Sequence, residues 1–377
     1  MSSTISARSL VRAIGPALSG GARERAALDA ELRRAFGASG VALTDSGTSA
    51  LAMALRSTTP AGGIVALPAY ACVDVGAAAL FASVRVMLYD IDPNTLSPDL
   101  ESVERALDNG ARTVVVAHLY GYPADVPGVR ALAGARGAAV IEDAAQGAWG
   151  SLSGARLGAL GPLSVLSFGR GKGMTGGGGG ALLGFGAHGR DALALAGSPV
   201  GAPAGVRTLA VAAAQWALGR PALYAMPSAI PALHLGETIY HPAHEPRAIT
   251  AVSASLVRAA LARADADLMV RTRHADVIAS AAAKANSVRC ITAIAGSSPG
   301  YLRLPIRVNG ARRVNGTLGI SRGYPETLAE LPELRASLVG GEKLPGALEL
   351  QRSLVTLPTH AFLTSRDVEK IIRWLVD

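Results

Sequence analysis

The sequence predicts an α/β fold: a large domain with a mostly parallel sheet covered by helices, then a smaller C-terminal α+β domain. Three observations predict it. Between residues 41 and 166, short apolar runs alternate with helical stretches, the pattern of strands joined by crossover helices. A chain of 377 residues exceeds one ordinary core, so one large and one smaller domain are expected. Residues 204–235 then change character, and the remainder mixes strands with helices without an internal repeat. The expected division is 1–235, with 203–235 an apolar insertion, and 236–377.

In order, ARERAALDAELRRAF reads as an amphipathic helix ended by Gly37. Val41–Leu43 is a short strand running into Ser46-Gly47-Thr48-Ser49, a turn that opens an apolar helix over Ala50–Leu55. Such a turn presents free N–H groups and the positive end of a helix dipole, a seat for phosphate; plain capping by Ser or Thr gives the same pattern. Strand-then-helix follows in IVALPAYACVDVGAAALFA. Residues 84–92 form a strand, about Pro98–Asn109 a helix, RTVVVAHLYG a strand, Val126–Arg136 a helix, and AAVIEDAAQ and Leu163–Leu166 two further strands. Function in such sheets gathers at the carboxyl ends of strands, which is where His118, Asp143, Gln146 and Ser167 fall.

Beyond Ser167 comes GRGKGMTGGGGG. Its glycines let backbone approach a ligand closely, and Lys172 stands among them. A solvated lysine on a flexible loop has the same appearance. Lysine usage favours chemistry: the chain has four lysines, Lys172, Lys284, Lys343 and Lys370, against thirty-two arginines. Arg serves where charge is needed, whereas Lys can lose its proton and form a Schiff base.

The formal charge is +8, yet the arginines are scattered and aromatics are few, which argues against nucleic acid and suits anionic small molecules. Cys72 and Cys290 provide neither a disulfide framework nor metal spacing. No metal is expected. The first residues lack the apolar core of a signal peptide, so a reducing, cytoplasmic setting is expected. The apolar run Leu209–Leu218 is too short to span a bilayer. It is expected to bury Leu209, Val211, Trp216 and Leu218 against protein, at the active-site mouth or a dimer surface. Contact with anionic lipid through the flanking Arg207 and Arg220 is the less favoured reading. Helices are expected over Ala251–Ala266, Leu268–Ala285 and Ser365–Leu375, and a strand over Tyr301–Val308.

DSGTSAL, LPAYACV, DIDPNTL, HLYGYPAD, IEDAAQ and SFGRGKG, with GISRGYPETL and LVTLPTHAFLTSRDVEKI near the end, resemble the DegT/StrS family of pyridoxal-phosphate (PLP) aminotransferases of fold type I. The resemblance implies PLP as cofactor, held covalently by Lys172. Asp143 would face the pyridine nitrogen, Gly47, Thr48, Ser49 and Ser167 would bind the phosphate, and Gln146 would lie near the ring. Cys72 stands where the family often stacks an aromatic ring. The implied activity is transfer of an amino group, with glutamate as donor, to a keto-sugar, in a homodimer. The family's Asn/Arg loop toward the partner subunit is not recognisable, and residues 236–242 are the candidate replacement. Other readings are a dehydratase-like PLP enzyme, whose relatives carry histidine for the lysine, a lipid- or carrier-linked substrate, and a non-catalytic PLP-binding regulator.

Overall fold

The computed structural model describes residues 5–18, 21–147, 149–187, 190, 193–194, 202–218, 240–308 and 314–376. Two helices come first, α1 (Ala7–Leu18) and α2 (Ala22–Phe36). Alternation then begins: β1 (Gly40–Thr44), α3 (Gly47–Thr58), β2 (Ile64–Pro68), α4 (Val73–Phe81), β3 (Arg85–Tyr89), α5 (Leu100–Asp108), β4 (Ala111–Ala117), α6 (Val126–Gly134) and β5 (Ala139–Asp143). A small hairpin of β6 (Ser151–Leu152) and β7 (Ala155–Arg156) precedes β8 (Leu163–Ser167) and β9 (Gly180–Gly184). The large sheet has the order β1-β9-β8-β5-β4-β2-β3. Its strands are parallel except β9, which runs antiparallel to both β1 and β8.

This sheet is buried on both faces. Val65, Ala66, Leu67, Val114, Val115, Val116 and Ile141 are sealed in one core with Leu51, Met53 and Leu55 of α3. A second cluster covers the β8–β9 side, where Leu28, Leu32 and Phe36 of α2 meet Leu166, Phe168 and Leu183. Helices α7 (Ala202–Leu218), α8 (Ala251–Leu261) and α9 (Ala264–Ala282) follow. Ala254, Val257 and Ala260 of α8 belong to the cluster around Phe36 and Phe168. The C-terminal sheet, β10-β12-β14-β13, consists of β10 (Val288–Cys290), β12 (Leu304–Val308), β13 (Ser321–Arg322) and β14 (Leu354–Leu357). It packs on α9 and on α11 (Ser365–Val376) through Ile278, Ile306, Val355 and Ile371. Strand β11 (Ser297–Ser298) joins the small hairpin, and α10 (Pro345–Ser353) precedes β14.

Several expected boundaries move. The helix expected over Ala251–Ala266 ends at Leu261, and α9 starts at Ala264. Apolar spacing ran through the break, but Asp265 and Asp267 occupy the first turn of α9, where the dipole favours acids. The strand expected from Tyr301 begins at Leu304, because Tyr301 has a left-handed backbone, φ 44°. Residues 219–235 lie outside the described residues. Val211, expected to be buried, is 42% exposed, whereas Leu209 and Trp216 pack partly into the cluster of α1 and α8. The cause is orientation: α7 lies on α1 and α8 through Ala212, and Val211 falls on the opposite side.

Glu142, in β5, ties the sheet together. It is fully buried and accepts from the Gly158, Leu160 and Gly161 N–H groups and from Ser164 Oγ, and it meets His118 Nε2 at 2.9 Å. Burial alone would raise its pKa. His118, the Gly158 N–H and Ser164 outweigh that and hold it below the ordinary value. A carboxylate lowered in this way stabilises the fold above its unfolded pKa of about 4.3, and that contribution is lost as pH falls through the folded value. Glu142→Gln turns an amide NH₂ toward these donors and should destabilise by about 3 kcal/mol or more. Urea unfolding at neutral pH checks the loss. The gap between variant and wild type should close in acid.

Candidate active site

The carboxyl ends of β1, β4, β5 and β8 open onto one cavity of about 530 Å³, a volume that takes in its open mouth. Its walls include Gly47, Thr48, Cys72, His118, Asp143, Gln146, Ser167, Lys172 and Tyr324. Strand order explains the convergence, since β8, β5 and β4 are neighbours and run parallel. Residues more than a hundred positions apart thereby meet at one edge.

At one side stands the amino end of α3. Ser46 caps it by accepting from the Ser49 N–H at 3.0 Å. Ser49, expected among the phosphate ligands, does not line the cavity: it is 2% exposed, and its hydroxyl donates to Asp45 Oδ1 at 2.7 Å. The first-turn N–H groups of Gly47 and Thr48 have no partner within a helix. Gly47 must be glycine here because a Cβ would come within 2.8 Å of Ser167 Cβ. The helix end and the Ser167 hydroxyl are therefore packed against each other, leaving a cradle bounded by N–H and O–H donors.

Asp143 forms the floor. It is 8% exposed, and its carboxylate accepts one hydrogen bond, from the Ala145 N–H at 3.0 Å, with no ion pair among the described residues. Burial pushes its pKa up. The Ala145 N–H, the Lys172 charge and His118 pull it back without cancelling that rise. A buried carboxylate in this state favours a cationic partner in the cavity.

Lys172 sits in a pinned loop. Gly171 takes a left-handed φ of 77°, Thr175 Oγ1 donates to the Gly169 carbonyl at 2.7 Å, and the Gly176 N–H donates to the Phe168 carbonyl at 2.8 Å. The glycines that follow are tightly enclosed: a Cβ on Gly180 would lie 2.5 Å from Ser46 backbone. These contacts tie the backbone down on both sides of Lys172. Lys172 lines the same cavity as Asp143 and Cys72, and its charge favours the ionised form of each.

His118 and Cys72 offer the cavity carbon and sulfur surface. The Nδ1 of His118 accepts from the Ala124 N–H at 2.9 Å, which leaves the proton on Nε2, directed at Glu142. Both ring nitrogens are thus engaged, and what faces the cavity is ring surface. Burial, reinforced by Asp74, pushes the Cys72 thiol up to about 12, so it stays protonated and unreactive.

Gln146 is held at both ends of its amide. Its Oε1 accepts from the Tyr120 N–H at 2.9 Å, and its Nε2 donates to Tyr324 Oη at 2.6 Å. Tyr120 stacks on Tyr324 with ring centroids 5.8 Å apart, and it holds a left-handed φ of 56°. Tyr324 belongs to the C-terminal part of the chain, and sequence reasoning did not select it. Its available signal was scarcity: three of the eight tyrosines, Tyr70, Tyr120 and Tyr324, gather here. Of residues 236–242, the first four lie outside the described residues. Further on, the Arg247 carbonyl accepts from the Asp45 N–H at 2.8 Å, beside the helix-opening turn.

The model of the DegT/DnrJ/EryC1/StrS aminotransferase family, which the motifs resemble, matches residues 15–184. Among curated relatives, a UDP-N-acetyl-3-dehydro-α-D-glucosamine 3-aminotransferase of Acidithiobacillus ferrooxidans is 31% identical over 158 residues, 42% of this chain and 43% of that protein. An L-glutamine:2-deoxy-scyllo-inosose aminotransferase of Streptomyces fradiae is 35% identical over 139 residues, 37% of this chain and 33% of that protein. The matched part thus spans less than half the length of these relatives. Solved structures match over nearly the whole chain. An aminotransferase from Psychrobacter cryohalolentis superposes with a TM-score of 0.78 at 20% identity, covering 100% of this chain and 97% of that one. A DegT/DnrJ/EryC1/StrS aminotransferase from Brucella abortus gives 0.74 at 20% identity, covering 98% and 94%. The fold is therefore the α/β fold of these aminotransferases, as expected from the sequence.

Proposed function

We propose, from the family match over residues 15–184 and the cavity at its strand ends, that this chain is a PLP-dependent aminotransferase acting on a keto-sugar or related cyclic ketone. The observation that carries the reading is Asp143. A buried carboxylate without an ion-pair partner among the described residues faces the same cavity as Lys172, the one lysine set in the glycine loop. That arrangement fits a cofactor with a protonated ring nitrogen at one end and a lysine-reactive carbonyl group. The cradle of Gly47, Thr48 and Ser167 fits its phosphate.

When bound, PLP supplies an electron sink for carbanion chemistry at the substrate carbon. The chain supplies the rest. Asp143 would hold positive charge on the ring nitrogen, where burial strengthens the interaction. The α3 amino end and Ser167 would hold the phosphate. Lys172 would hold the cofactor's carbonyl group through its amine and, being able to lose and regain a proton there, would serve as base and acid. Gln146, fixed between Tyr120 and Tyr324, keeps the wall beside the ring rigid. The relatives matched act on a nucleotide-linked keto-sugar and on a keto-cyclitol, and one of them uses L-glutamine. These relatives support glutamate or glutamine as the donor and a polyhydroxylated ring ketone as the acceptor.

The test is a half-reaction without acceptor. Purified protein loaded with PLP should convert one equivalent of glutamate or glutamine to its keto acid and then stop. Adding UDP-linked 3-keto-sugar or 2-deoxy-scyllo-inosose should restart it. Failure of both donors to yield keto acid would refute the transaminase reading and favour the dehydratase class.

A further inference from the structure

We propose that the face formed by α1 and α7 docks the protein on an anionic membrane surface. Taken alone, the 209–218 run has too little charge for this role, and the structure changes that by pairing it with α1. The two helices meet through small residues. Ala13, Ala17 and Ala212 are fully or nearly fully buried, and a Cβ on Gly205 would lie 3.3 Å from the Ala17 carbonyl oxygen. This close seam turns two short helices into one slab.

The outward side of the slab is apolar and basic. On α1, Arg8, Val11, Arg12, Ile14 and Leu18 are exposed. Val11, Ile14 and Leu18 follow i, i+3, i+7 spacing and form one stripe. On α7, Pro203, Val206, Arg207, Ala210, Val211 and Ala214 are exposed. A helix facing water reverses this pattern, as α11 does: Val368, Ile371 and Leu375 point inward, while Arg366, Glu369, Lys370 and Arg373 are exposed. Of the ten large apolar side chains exposed among the described residues, five stand on α1 and α7, with Leu18 at 74% and Val11 at 67%.

Charge selects the occupant. Neither helix contains an acidic residue, and Arg8, Arg12 and Arg207 form no ion pair among the described residues. Glu24 and Glu31, which share a groove with Arg12, are both engaged by Arg258, at 2.6 and 2.8 Å. The face therefore presents uncompensated positive charge beside apolar side chains, the complement of an anionic headgroup layer. No described helix is long and apolar enough to cross a membrane, so the contact is peripheral. The slab rests against the glycine loop: a Cβ on Gly177, five residues beyond Lys172, would lie 3.0 Å from Ala212 Cβ. A membrane-docked face thus backs directly onto the support of the lysine.

Flotation of the full chain, loaded with PLP, tests this. With vesicles of equimolar phosphatidylcholine and phosphatidylglycerol at low salt, most of the protein should float. With phosphatidylcholine alone it should not, and added salt should release it. Arg8→Gln, Arg12→Gln and Arg207→Gln combined should weaken partitioning about a hundredfold, at roughly fivefold per arginine. These side chains are exposed, so the variant should keep its circular dichroism and its half-reaction. Val11→Glu should abolish flotation independently. Absence of flotation by the wild type overturns the proposal. Should Leu18→Glu then halve the mass seen by light scattering, the face is a contact between two copies of the chain and the membrane assignment is wrong.

Discussion

Lys172→Arg should retain the fold and lose amino transfer by about four orders of magnitude or more. The substitution separates charge from chemistry. Arginine preserves the positive charge that acts on Asp143 and Cys72, so the electrostatic field of the cavity changes little. It cannot give up a proton near neutral pH or form the covalent link. Acid–base transfer by a placed side chain is typically worth about 10²–10⁴-fold by itself, and the loss of the link adds to it. The remaining lysines are not placed to substitute, since Lys284, Lys343 and Lys370 are all exposed and none lines the cavity. Borohydride reduction of the wild type loaded with PLP, followed by peptide mass mapping, should mark the peptide carrying Lys172. A mark on another lysine, or activity of the variant within tenfold of wild type, would refute the role.

The parallel core was legible because burial on both faces leaves nearly continuous apolar strands, each ended by a chemical motif. Val114–Val116 before His118, Ile141 before Asp143, and Leu163–Leu166 before Ser167 are such cases. The convergence of Lys172, Asp143 and Gly47 on one cavity follows from the rule that parallel strands share their carboxyl ends. Ser49 was not separable from its neighbours: a run of Gly, Ser and Thr at a helix start does not tell which hydroxyl faces a ligand, and the structure turns that of Ser49 to Asp45. Tyr324 was hidden because a long-range pair leaves no periodicity, and its partner Gln146 lies 178 residues away. The α7 surface was hidden for the same reason. Whether an apolar run is covered depends on what packs beside it, and α1 is about 190 residues upstream.

Asp143→Asn should lower turnover by about 10²–10³-fold while making the cofactor-stripped protein more stable at neutral pH. The catalytic half follows from charge. Asparagine preserves the size of the side chain and accepts from the Ala145 N–H, but it cannot hold a proton on a ring nitrogen. Loss of one preorganised electrostatic partner in a water-poor site is worth about 3–4 kcal/mol. The stability half follows from the raised pKa. Between the unfolded value, about 4, and the higher folded value, the native state binds the proton more tightly than the unfolded chain does. Stability conferred by this group therefore falls as pH rises through that window, and above it the desolvated carboxylate is a constant cost. Asparagine does not carry that cost. The stripped variant should melt above the stripped wild type at neutral pH, and the difference should vanish in acid, where Asp143 is protonated in both states. With PLP added the order should reverse, because the wild type gains an ion pair on the ring nitrogen that the variant lacks. A stripped variant that is less stable at every pH would mean that Asp143 serves packing rather than charge. Turnover within tenfold of wild type would remove it from the site chemistry.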